Sequence, residues 1–190
     1  MSANLRIYTK ALYRFDHVLR LVPPDAWSNA SPCEGWDARD VVGHVIAVQR
    51  YIESLARGTQ PLLNPYEDPG RHAGADPVAA WESTVDDVLA ALDHPGVVMR
   101  TVQTFRAEEP LDAQLGWNVV DTLTHSWDIA RAAGVDDRLD PGLVDHALIE
   151  ASPMIDHMRQ PPFFGDATGS ASDADPQTRL LTMLGRSTSD

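Results

Sequence analysis

The chain has 190 residues, 43% of them hydrophobic, and its 28 acidic against 15 basic side chains give a formal net charge of −13. That length and composition suit one folded domain and exclude a disordered chain, while so negative a surface disfavours a nucleic-acid backbone as partner. No apolar run approaches the roughly 18 residues of a membrane span, residues 1–5 lack a signal-peptide core, and Cys33 has no second cysteine to pair with, so a cytoplasmic protein without membrane contact is expected.

Leu5, Tyr8, Leu12, Phe15, Leu19 and Val22 recur at steps of three and four and predict a helix over 5–22, stopped by Pro23-Pro24. After a loop over 28–36, Asp37 is placed to cap a second helix, with Asp40 in its first turn and Gly58 as its stop. Its apolar stripe is Val41, Val45, Val48, Ile52 and Leu55. Residues 59–75 carry three prolines, two glycines and no helical period, and are read as a loop long enough to be a functional flap. Asp76-Pro77 opens a third helix that ends before Pro95-Gly96. Residues 97–105 are β-branched and alternate weakly, which suits either a short strand or an extended crossover. A fourth helix is expected over 112–133, stopped by Gly134. Asp140-Pro141 and Asp175-Pro176 open two shorter ones, with a loop over 160–174 between them. The sum is an all-α chain, most simply a four-helix bundle with short additional C-terminal helices.

Asp121 and His125 stand four residues apart on the fourth helix, so both side chains leave the same side of it. Two such groups can grip one divalent metal if another helix supplies a third, and His44, pointing inward from the second helix, is the candidate. Each part has a plainer reading. His44 alone suits a core histidine satisfied by one hydrogen bond, and Asp121, His125, Asp128, Thr124 and Arg131 alone suit a solvated face. Two imidazoles and a carboxylate suit zinc, with nickel as the alternative, and three protein ligands leave a position open for water or substrate. Asp128 is placed to orient His125 or to hydrogen-bond a bound water. Cys33 is a weaker candidate nucleophile near the start of the second helix, and His17, His72, His94, His146 and His157 are read as structural or surface residues.

The stretch Pro32-Cys33-Glu34-Gly35-Trp36-Asp37-Ala38-Arg39-Asp40-Val41-Val42-Gly43-His44-Val45 and the stretch Val120-Asp121-Thr122-Leu123-Thr124-His125-Ser126-Trp127-Asp128-Ile129-Ala130-Arg131 resemble a known family. It is that of the actinobacterial metal-binding proteins related to mycothiol-dependent maleylpyruvate isomerase, within the DinB-like superfamily. The resemblance covers most of the chain. It implies a single domain over 1–190, a DinB-type four-helix bundle and a metal near one end of it, held by His44, Asp121 and His125. The isomerase pattern has Glu at the position of Asp121 and many relatives have His, so the shorter Asp is expected to draw the metal towards the fourth helix or to hold it less tightly. In the isomerase the metal is thought to activate the thiol of mycothiol. The isomerase also carries a C-terminal domain for which this chain has no room after its bundle and short tail.

The leading expectation is a metal-binding bundle acting on a small molecule as a thiol-dependent (mycothiol-dependent) transferase or isomerase, with no acid or base residue assigned. A non-catalytic metal-binding module, its shell closed by Cys33 or Asp128, and a metal-free helical scaffold are the rivals. With several Trp and Phe expected at the surface a homodimer is compatible, and no interface is assigned.

Overall fold

The computed structural model of the chain describes residues 1–153, 155 and 174–188. Its principal elements are helices α1 (Ala3–Leu19), α2 (Ala38–Arg57), α3 (Pro77–Leu92), α4 (Leu111–Ala133), α5 (Pro141–Ala151) and α6 (Pro176–Met183). A two-stranded antiparallel hairpin, β1 (Thr101–Gln103) and β2 (Glu108–Pro110), pairs Val102 with Glu109. The fold is all-α, a four-helix bundle of α1 to α4 with shorter helices added towards the C-terminus.

The helix starts follow from local chemistry. Asp37 accepts from the Asp40 N–H while the Asp40 carboxylate accepts from the Asp37 N–H, a capping box that satisfies two amides with no partner inside α2. Asp76, Asp140 and Asp175 cap α3, α5 and α6, each followed by Pro. The first helix ends at Leu19, short of the expected 22, because its last turn tightens. The Leu21 and Val22 amides donate to carbonyls three residues back, Val18 and Leu19. Residues 97–105 take the strand reading, though only from Thr101, after a 3₁₀ turn at Val97–Met99. The expected loop over 160–174 lies outside the described residues except for Ala174.

Helix α4 is the centre of the packing, touching α1, α2 and α5, and from Gln114 to Ala130 every residue but Asp121 is buried. A chain of buried side chains ties three helices together one residue away from Asp121. The Tyr8 hydroxyl donates to Gln49 Oε1 (2.6 Å), Gln49 Nε2 donates to Thr122 Oγ1 (3.3 Å), and Thr122 Oγ1 donates to Asn118 Oδ1 (3.2 Å). Each link would be costly to leave unmade in the core, so the set holds α1, α2 and α4 in one register.

The flap is more structured than its composition suggests. Within 59–75, Pro69–Ala73 form a 3₁₀ turn seated on α2. The approach is so close that a Cβ on Gly43 would lie 1.9 Å from the Pro69 carbonyl oxygen, so only glycine fits there. All five Trp side chains are buried or half-buried, and of the described Phe residues only Phe105 is exposed, so the exposed Trp invoked for a homodimer are absent. Among the described residues no helix is long and apolar enough to cross a membrane.

Candidate metal centre

His44 from α2 and Asp121 and His125 from α4 converge. Asp121 Oδ1 lies 3.3 Å from His44 Nε2 and 3.5 Å from His125 Nε2, and the three donor atoms all fall within 4.8 Å of one another. The i, i+4 spacing places the α4 pair, and the α2–α4 packing brings His44 to it. The plainer reading of that side of α4 as a solvated face fails for three of its residues, while Asp121 and Arg131 stay part-exposed. Thr124 and Asp128 are fully buried and His125 nearly so, because residues around 33–36 and the segment after α6 cover that side.

His44 is oriented by the flap. Its Nδ1 lies 2.9 Å from the Pro65 carbonyl oxygen, which can only accept, so Nδ1 carries a proton and Nε2 is the nitrogen turned towards Asp121. The Gly70 N–H, donating to Asp40 Oδ1 at 3.1 Å, holds the flap down on the N-terminal turn of α2. The rings of Trp36 and Tyr66 stand 5.0 Å and 5.3 Å from that of His44. Tyr66 is part-exposed. Burial and the Asp121 charge push its phenol well above the ordinary value, so the hydroxyl stays protonated.

His125 is oriented from the opposite side of its ring. Its Nδ1 lies 2.8 Å from Asp128 Oδ2, one turn along α4. Asp128 is in turn gripped by Arg186, whose Nε and Nη2 donate to Oδ1 and Oδ2 at 3.0 and 2.7 Å. Burial alone would raise the Asp128 carboxyl, but Arg186 and His125 outweigh it and hold the group well below its usual range. Cys33 joins this side, with Sγ 3.2 Å from Asp128 Oδ2 and 3.3 Å from Arg186 Nη2. Cys33, His125 Nδ1 and Asp128 thus make a second cluster of metal-ligand type. A guanidinium already supplies its positive charge, which disfavours a cation there. Cys33 and Asp128 therefore sit against Nδ1 of His125, away from the Nε2 that meets Asp121, and neither is placed to close the first cluster as a fourth ligand.

Sequence reasoning missed Arg186, Pro65 and the aromatic walls. Arg186 lies in a tail without periodicity, and Pro65 acts through its carbonyl, which no side-chain pattern reveals. Among the remaining histidines, His17 and His94 are exposed and His146 meets the Gly116 carbonyl oxygen at 3.1 Å. His72 is half-buried in the flap, and His157 lies outside the described residues.

The first cluster fits a divalent cation on two counts. Bonds of about 2.0–2.1 Å at tetrahedral angles put ligand atoms about 3.4 Å apart, close to the 3.3 and 3.5 Å found here. Asp121 Oδ2 is also buried with no hydrogen-bond partner, an uncommon and costly state for a carboxylate oxygen. Without a cation, burial favours neutral forms of Asp121 and His125, yet their mutual attraction, with help from His44 and Asp128, wins. Asp121 is held far below its usual range and His125 is raised well above its own. The site thus already carries a positive charge between two carboxylates, where a metal ion would stand in for a proton.

The family model of the mycothiol maleylpyruvate isomerase N-terminal domain matches residues 8–130. Two uncharacterized proteins of Mycobacterium tuberculosis, from two strains, are each 27% identical over 184 residues, covering 96% of this chain and 97% of their own. The crystal structure of the mycothiol-dependent maleylpyruvate isomerase superposes with a TM-score of 0.64 at 16% identity, over 80% of this chain and 68% of that one. The structure of a histidine-to-alanine mutant of that isomerase gives 0.61 at the same identity and coverage. At that identity the likeness establishes a shared fold.

Proposed function

Because this chain belongs to the mycothiol maleylpyruvate isomerase N-terminal domain family, we propose that it binds one divalent ion, zinc or nickel, through His44, Asp121 and His125. We further propose that, over 1–190 as a single domain in the cytoplasm, it acts as a mycothiol-dependent transferase or isomerase on a small electrophile. The observation that carries this reading is the pair of 3.3 and 3.5 Å approaches to Asp121 Oδ1 beside a buried, partnerless Oδ2.

An ion so held supplies Lewis-acid chemistry, which lowers the pKa of a thiol or water brought to it. The chain's own residues prepare for that. Pro65 and Asp128 each accept a hydrogen bond from an Nδ1–H, which turns both Nε2 atoms towards Asp121. The rings of Trp36 and Tyr66 stand against His44 and keep bulk water from it.

Elemental analysis of protein purified without an affinity tag should find about one ion per chain, lost in the His44→Ala, His125→Ala double variant. Metal retained by that variant would refute the ligand assignment. With metal-loaded protein, consumption of mycothiol against a panel of small electrophiles should exceed the background rate, and no excess with any electrophile would sink the enzymatic part.

A further inference from the structure

We infer that Arg186, in the segment after α6, is a positioning residue of the metal centre, which through Asp128 sets the aim of the His125 ring. The inference rests on the ligand assignment above. Arg186 is buried, as are Leu180, Leu181 and Leu184 just before it. Its guanidinium is fully committed. Nε and Nη2 form a two-pronged grip on Asp128 (3.0 and 2.7 Å), Nη1 donates to the Leu184 carbonyl oxygen (3.1 Å), and Nη2 also reaches Cys33 Sγ (3.3 Å).

A buried ion pair is a poor way to stabilise a helix packing, since apolar side chains of like volume often do as well or better. What such a pair does supply is direction. A carboxylate held at both oxygens cannot rotate about its Cβ–Cγ bond, so Oδ2 stays 2.8 Å from His125 Nδ1. That fixes the opposite nitrogen, Nε2, at 3.5 Å from Asp121 Oδ1. Asp128 has His125 on one side and Arg186 on the other, so the guanidinium also keeps it an acceptor. The arrangement joins the last described segment of the chain to the α2–α4 seam, about 60 residues away in sequence, through two hydrogen-bonded groups.

The test uses the full chain, with Zn²⁺ affinity read by chelator competition and the visible absorption of the Co²⁺-loaded protein reporting ligand geometry. Arg186→Met should weaken Zn²⁺ binding by about 10–100-fold and shift the Co²⁺ bands. Arg186→Lys keeps the buried charge paired and so keeps the fold, but an ammonium cannot grip both oxygens. It should lose part of the affinity, roughly several-fold, and shift the same bands, and it decides the matter if Arg186→Met does not fold. Wild-type affinity together with a wild-type Co²⁺ spectrum in Arg186→Lys would overturn the inference, since a purely structural charge would be replaced without effect on the ion. Failure of the unaltered chain to bind Zn²⁺ or Co²⁺ would instead overturn the ligand assignment, and this inference with it.

Discussion

His44 and His125 approach the same carboxylate oxygen, one at 3.3 Å and the other at 3.5 Å, but their far nitrogens are held by different chemistry. His44 leans on a neutral backbone carbonyl of the flap, and His125 on a carboxylate clamped by an arginine. A carbonyl acceptor belongs to the backbone, so its position depends on how the flap is seated. A carboxylate acceptor depends on two side chains and carries charge that must be balanced. The difference teaches that the first half of the site should be broken by moving the flap, and the second by removing a charge.

The largest effect is expected on the charged side. Asp128→Ala removes both the acceptor of His125 and the two-pronged carboxylate partner of the buried Arg186 guanidinium, a loss of about 3–5 kcal/mol by chemical denaturation. On the flap side, Gly43→Ala puts a methyl where the Pro69 carbonyl oxygen stands, costing about 1–3 kcal/mol. Because the same flap carries Pro65, the rise in melting temperature on adding Zn²⁺ should shrink in that variant as well. A fall in stability with an unchanged Zn²⁺ effect would show that the flap does not orient His44.

Proton linkage separates the two sides further. His125 is raised in the metal-free fold, so its contribution is complete below its ordinary value and is lost as pH rises through the folded one. Asp128 is depressed, so its contribution is complete above its ordinary value and is lost as pH falls towards the folded one. Melting of metal-free protein should therefore weaken on the alkaline side through His125 and on the acid side through Asp128. Zn²⁺ added to weakly buffered protein near neutral pH should release about one proton per ion from His125, read with an indicator dye. No release would mean that the ion does not replace the His125 proton. The smallest effect is expected at Pro65 itself. Pro65→Ala leaves the carbonyl in place, so Zn²⁺ affinity should hold while stability falls by about 0.4–1 kcal/mol through the freer unfolded chain.

Much of the fold was legible because its signals are local. The Asp37 cap of α2, the Asp-Pro starts of α3, α5 and α6, and the Gly58 and Gly134 stops all lie where the chain alone places them. The i, i+4 relation of Asp121 and His125 is local as well, and so was their common direction. The environment of that face was not. Periodicity reports polarity along a helix, and a polar stripe reads the same whether water or other protein groups satisfy it. On α4 the second case holds, with Asp128 wholly buried against Arg186 and Cys33.

By itself the sequence determined an all-α chain, the ends of most helices and a histidine–carboxylate pair facing one way, since these depend on backbone geometry over a few residues. Only the tertiary structure decided that His44 meets that pair, that the flap's Pro65 and the tail's Arg186 set the two rings, and that Asp121 keeps a buried oxygen without a partner. Those relations join groups 21 to 77 residues apart, and their distances follow from helices packing side by side, not from spacing along the chain.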